Sequence, residues 1–205
     1  FPGVWANSCC SHPLSSDTES ELIDASGVKR AAIRKLHQEL GISPDELSLD
    51  DFHFVTKMMY SARMNADWIE REIDHILVIQ ADVDIKINQN EVSEIKWVSK
   101  HELHQILAGD IDIGGEIAPW FRCIAERVMT DDWWDSIGNL DRIVELRDDL
   151  IHDMGDVSDM LSTATGAGLN TSIMEVKPLV ERRISDSLCA SKHSRLSNAM
   201  MHLIE

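Results

Sequence analysis

Cys10 and His12 stand two residues apart in FPGVWANSCCSHPL (1–14), a stretch that reads as extended up to a turn at Pro13, so both side chains leave one face. A thiol beside an imidazole is either an acid/base pair or part of a metal site, and a buried cysteine next to a loop histidine would give the same letters. Glu70 and Glu72 repeat the spacing at the head of an apolar run, Ile73, Ile76, Leu77, Val78 and Ile79. Two carboxylates on one face of a strand entering a core repel each other, and a divalent cation with oxygen and nitrogen ligands offsets that repulsion. Without a metal, one of the two takes a raised pKa and becomes a proton donor. A solvated strand edge needs neither. Glu39 closes the acidic residues of a helical run, with Arg34 five residues earlier, and on spacing alone is an ordinary solvent-facing charge. Tyr60 and Trp120 are either site aromatics or core.

The elements that must hold these residues are readable in outline. GVKRAAIRKLHQELG (27–41) predicts a helix with Val28, Ala31, Ala32, Leu36 and Leu40 on one face and Gly41 placed to end it. Three strands are predicted, within 52–62, 70–83 and 92–99. A short helix follows Ser99 as N-cap, and a longer one spans 116–134 with Pro119 in its first turn. Strands mixed with helices in this order give an α+β class, an α/β sandwich. From Gly138 the text changes: 138–161 reads as a helical extension, 162–172 as a Gly/Ser/Thr linker and 173–205 as helical again.

Of 205 residues, 36 are acidic and 19 basic, a net charge of −17, most of the excess lying before residue 138. A field of that sign repels phosphate chains and anionic lipid, so nucleic-acid binding is not expected. A small phosphorylated substrate held through divalent cations is not excluded. No run reaches the roughly 18 apolar residues of a membrane span, and no membrane insertion is expected. Cysteines 9, 10, 123 and 189 suit reduced thiols in the cytoplasm better than a disulfide framework. Residue 1 is Phe, and the chain is expected to be a piece of a longer one, cut at its N-terminal side.

FPGVWANSCCSHPL, GVKRAAIRKLHQELGI, WIEREIDHILVIQADV, NEVSEIKWVSKHEL and APWF, in that order and spacing over about 1–137, resemble the type I isopentenyl-diphosphate isomerases, a branch of the Nudix fold. The resemblance implies a Nudix-like mixed sheet flanked by helices. It implies isomerisation of isopentenyl diphosphate to dimethylallyl diphosphate in isoprenoid precursor biosynthesis. Cys10 matches the essential acid/base cysteine of N-x-x-C-[SG]-H-P, and His12 the motif's metal-ligating histidine. Glu70 and Glu72 match the paired glutamates of W-x-E-x-E, both serving the metal and the second also donating a proton. Tyr60 matches the tyrosine assisting that transfer, and Glu39 the ligand of the Mg²⁺ carried by the substrate diphosphate. Trp120 matches the tryptophan of P-W, whose ring faces the reacting carbons, and Lys35 falls where many members have a substrate-contacting arginine. The cofactors implied are Mg²⁺ with the diphosphate and a second divalent metal, Mg²⁺, Mn²⁺ or Zn²⁺, at the His/Glu site. The chemistry asks for two proton handlers on opposite faces of the substrate and a dry pocket around a tertiary cation.

Two departures sharpen the reading. The hydrolase signature R-E-x-x-E-E-x-G is here Arg34-Lys35-Leu36-His37-Gln38-Glu39-Leu40-Gly41, with two magnesium-gathering acids replaced by Lys35 and Gln38. That disfavours the alternative of a Nudix pyrophosphohydrolase. Family members also carry a stretch before FPG with core strands, two further metal-ligating histidines and Arg/Lys contacts to the diphosphate. Without it the metal shell is expected to be short of ligands and a sheet edge bare, which keeps a catalytically incomplete fragment as the other alternative. The tail from Val176 resembles the opening helices of trans-type polyprenyl diphosphate synthases, implying a fused synthase joined through 162–172; a generic amphipathic helix would look alike.

Overall fold

A computed structural model of the chain describes residues 1–161 and 198–204. Strand β1 (Val4–Asn7) buries Val4, Trp5 and Ala6 and ends at the first polar residue. After a polar loop comes helix α1 (Ser26–Leu40), which turns Ala32, Leu36 and Leu40 to a core shared with Phe52 and Val92. Gly41 closes it at φ 64°, a left-handed conformation that costs glycine nothing, and a Cβ there would run into the Lys86 carbonyl. The Lys86 and Asn88 backbone N–H groups donate to the carbonyls of Leu40 and Glu39, both at 2.8 Å, pinning the end of α1 that carries Glu39.

Strands β2 (Phe52–Arg63) and β3 (Ile69–Ile79) form a long antiparallel hairpin whose register sets Tyr60 opposite Glu72, Ala62 opposite Glu70 and Met58 opposite Asp74. Strand β4 (Val92–Ser99) runs directly into helix α2 (Lys100–Ala108) through a capping box. The Ser99 hydroxyl accepts from the Glu102 N–H while the Glu102 carboxylate accepts from the Ser99 N–H. Two short helices follow where one was expected over 116–134. Helix α3 (Pro119–Arg127) stops, and Thr130 caps a separate helix α4 (Asp131–Ser136) by accepting from the Trp133 N–H. A local side-chain acceptor offered mid-run gives the backbone a second start.

The stretch expected to be a helical extension is helical only in α5 (Leu140–Glu145) and in one short turn. Its residues Ile151–Asp156 form strand β5, paired parallel to β2, with Gly155 at φ 71°. An open edge on β2 recruits this segment and overrides its weak helical pattern. Asn198–Ile204, inside the expected C-terminal helix, is strand β6. It lies between β1 and β4, antiparallel to both, so the edge expected to be bare is filled. The linker at 162–172 and the rest of the tail fall outside the described residues. The sheets are thus β1-β6-β4 and the mixed β3-β2-β5, flanked by helices, an α+β architecture. Between the sheets and α2–α4 sits a second core built on Trp5, Met58, Tyr60, Trp120, Phe121 and Trp133. Among the described residues no helix is long and apolar enough to cross a membrane.

Candidate active site

Beyond the end of β1 the two adjacent cysteines point into different cores. Cys9 packs against the α1 side, its sulfur 4.0 Å from the Ala32 carbonyl, whereas Cys10 joins the core of Tyr60 and Trp120. The Cys10 thiol lies 3.4 Å from Asn7 Oδ1, and the Trp120 indole N–H donates to the same oxygen at 3.1 Å. Tyr60 stacks on Trp120 with ring centres 6.5 Å apart, and Phe1 meets the indole edge-on at 5.4 Å. Burial, helped by the charges of Asp74 and Glu39, pushes the Cys10 thiol up to about 12. A thiolate formed here is a strong base.

Strand β3 carries its polarity inverted. Ile69 and Ile73 are about half exposed, while Glu70, Glu72 and Asp74 on the opposite face are turned partly inward toward β2. An ordinary half-buried strand does the reverse. Tyr60 donates its hydroxyl to Glu70 Oε1 at 2.5 Å, and His12 Nε2 lies 2.9 Å from Glu72 Oε1. Asp74 was not among the residues singled out from the sequence. Burial first, then the charges of Glu72 and Glu70, raise its carboxyl to about 7. It continues the two-residue spacing of Glu70 and Glu72, and that third repeat was the signal available. Burial first, then the charges of Asp74, Glu70 and Glu72, drive the Tyr60 hydroxyl far above its ordinary range, so it stays a proton-bearing donor.

Glu39 is buried on α1 and paired with Lys35 at 2.8 Å, so it is not the solvent-facing charge its spacing allowed. Burial raises its carboxyl and the Lys35 ammonium opposes the rise. His12 and Glu72 are thus together, Tyr60 and Glu70 are together, and Cys10 and Trp120 share one partner. What the structure does not bring together is a metal shell: among the described residues no three His, Cys, Asp or Glu side chains are placed to hold an ion. The imidazole and carboxylates fit a hard divalent ion in kind and fall short of it in number. A cleft of about 550 Å³ lies beyond Pro13, lined by Phe54, Lys57, His75 and Arg147 among others, and none of the proton-handling residues reaches it.

The turn bearing His12 is strapped to α1 by a pair that sequence reading missed. Arg34 donates Nε and Nη2 to the two carboxylate oxygens of Glu19 at 2.8 and 2.9 Å, and Nη2 also to the His12 carbonyl at 3.0 Å. Glu19 in turn accepts from the Leu14 N–H at 2.8 Å. These bonds, the guanidinium's first, hold the Glu19 carboxyl down at about 2. A depressed folded pKa contributes stability that is complete above the ordinary carboxylate range and is lost as pH falls from about 4.5 toward 2. Hydrogen exchange of 12–20, taken relative to the unfolded chain's rate at the same pH, is therefore expected to quicken on acidification through that window. In Glu19→Gln it should be roughly tenfold faster already at pH 7, since a charge-assisted fork is replaced by a neutral contact, with little further response to acid. An unchanged acid response in that variant would assign the strap elsewhere.

With this geometry in place, similarity to known proteins is specific. The Nudix domain matches residues 23–121. The isopentenyl-diphosphate Delta-isomerase of Dictyostelium discoideum is 44% identical over 150 residues, covering 71% of this chain and 62% of that protein. Isopentenyl-diphosphate Delta-isomerase 1 of Mesocricetus auratus is 39% identical over 145 residues, 71% and 63% respectively. Isopentenyl-diphosphate Delta-isomerase II of Clarkia xantiana is 41% identical over 153 residues, 72% and 52%. The chain thus spans between half and two thirds of the length of these relatives.

Proposed function

Residues 23–121 form a Nudix domain and the chain is of the type I isopentenyl-diphosphate isomerase family, and from that premise we propose that the whole protein converts isopentenyl diphosphate into dimethylallyl diphosphate. The observation that carries the proposal is the run of contacts from Cys10 through Asn7 and Trp120 to Tyr60 and Glu70, with Glu72 next along β3. It links a thiol to a carboxylate by way of one indole and one phenol.

The reaction balances with no oxidant. A proton adds to the terminal CH₂ carbon, and the double-bond electrons form the new C–H bond, leaving a tertiary cation. The C–H bond on the inner CH₂ then breaks, its electrons form the new double bond, and the proton leaves to a second group. Cys10 and Glu72 are the two proton handlers, one giving and one taking, and they exchange roles in the reverse direction. Tyr60 supports the carboxylate side through Glu70. The Trp120 face opposes the cation, an interaction of about 2 kcal/mol when desolvated. Glu39 would be the ligand for Mg²⁺ carried by the diphosphate, with Lys35 its neighbouring positive charge, and His12, Glu70 and Glu72 would be donors to a second divalent ion, a set that is not a complete shell by itself. Such ions supply the positive charge that lets a chain of net charge −17 accept a diphosphate. Free thiols at Cys9, Cys10 and Cys123 are in keeping with a cytoplasmic location.

The competing reaction is hydrolysis. Lys35 and Gln38 stand where hydrolysis needs acids, and Lys35 engages Glu39, the acid that remains. Purified full-length protein given isopentenyl diphosphate and Mg²⁺ is expected to form the dimethylallyl isomer, read by proton NMR, with no phosphate released. Release of phosphate without the allylic isomer would replace the isomerase by a hydrolase.

A further inference from the structure

We propose that Asn7 is a positioning residue for this reaction, its single amide oxygen holding the Trp120 ring and the Cys10 thiol in one fixed relation; the inference rests on the isomerase reading. Asn7 ends β1, and all its amide contacts fall on neighbours of the reacting groups. Its Nδ2 donates to the Cys9 carbonyl at 2.7 Å, and its Oδ1 faces the Trp120 indole N–H at 3.1 Å and the Cys10 sulfur at 3.4 Å. An indole N–H only donates and a backbone carbonyl only accepts, so the amide satisfies both in one orientation alone. Both lone pairs of the oxygen are then used. The two groups it links come from opposite ends of the domain, 113 residues apart for Asn7 and Trp120.

This arrangement does two things for catalysis. It fixes the indole plane relative to the thiol, and near-attack geometry is sensitive to displacements of about 1 Å. It also gives the indole N–H an acceptor, which shifts electron density into the ring and makes its face a better partner for a cation. Neither effect involves grip on the diphosphate. The signature is therefore a loss in kcat with KM little changed.

In full-length protein, Asn7→Ala is expected to lower kcat by roughly ten- to a hundredfold with KM within about twofold, the range of a lost positioning contact. Asn7→Asp keeps an acceptor for the indole but loses the donor to the Cys9 carbonyl, and should recover part of that loss. In a Trp120→Phe background, where no N–H remains, the Asn7→Ala change should cost several-fold less than in the unmodified protein, because the two act as a unit. Independently of turnover, exchange of the Trp120 indole proton should quicken in Asn7→Ala and not in Asn7→Asp. Equal kcat losses in Asn7→Ala and Asn7→Asp, an Asn7→Ala loss of the same factor in both backgrounds, or a loss confined to KM would each overturn the proposal. An unmodified protein that makes no allylic isomer would instead overturn the isomerase reading, and this inference with it.

Discussion

Replacement of Cys10 by alanine is expected to cut isomerase turnover by about 10²–10⁴-fold while diphosphate binding persists. General acid–base groups contribute about 10²–10⁴-fold; Cys9 lies in the other core, and Cys123, in the same core as Cys10, is fully buried on α3. The fold should tolerate the change. Asn7 keeps its bonds to Trp120 and to the Cys9 carbonyl, so only one sulfur atom leaves a half-buried site. The informative control is Cys9→Ala. That thiol faces Ala32 on α1, so its loss should leave turnover within a few-fold of the unmodified protein. Allylic product measured by proton NMR and binding measured by calorimetry separate the outcomes. Retained turnover in Cys10→Ala, or loss in Cys9→Ala alone, would reverse which neighbour does the chemistry.

Glu72→Gln should separate activity from stability in opposite directions. Glutamine occupies the same space and cannot exchange a proton, so turnover is expected to fall by about 10²–10⁴-fold. Stability should not fall with it. Asp74 has a folded carboxyl at about 7, above its ordinary value, and Glu72 is the largest charge holding it there after burial itself. A carboxyl raised on folding costs stability as pH climbs from the ordinary carboxylate range through 7. Removing the Glu72 charge relieves part of that cost, so the thermal midpoint at pH 8 should be equal or higher. At pH 4, where Asp74 is protonated in the folded chain in either case, the gain should shrink. A variant losing both activity and stability would make Glu72 a structural residue held by His12.

Much of this site is legible in the letters, and the limits have physical reasons. Period-two spacing puts Glu70 and Glu72 on one face of β3, and one end-glycine ends α1 where expected, whereas Cys10 and His12 lie beyond the end of β1, the thiol against a core and the imidazole on Glu72. What spacing does not show is pairing between elements. Tyr60 meets Glu70 only because the β2–β3 register puts Tyr60 opposite Glu72, and that register depends on the turn at 64–68. Arg34 reads as a helix surface charge until the loop returns Glu19 to it. Asp74 repeats the spacing of Glu70 and Glu72 once more, and only the burial that the fold gives it sets it apart. The misread helix at 151–156 is of another kind: HDMGD has no strong preference, and the open edge of β2 decided its state.

The stitching of β1 sets an order of assembly. Trp5 exchanges backbone bonds with Glu116 and Ala118, and β6 at the far end of the chain closes the other side of the strand. The β2–β3 hairpin, by contrast, closes over a short turn. During synthesis the hairpin and α1 can form a nucleus while the cysteine-bearing segment waits unpaired for more than a hundred residues. Contacts that distant in sequence make folding slow, and this one exposes two neighbouring thiols meanwhile. Oxidation of nascent chains should therefore concentrate at Cys9 and Cys10.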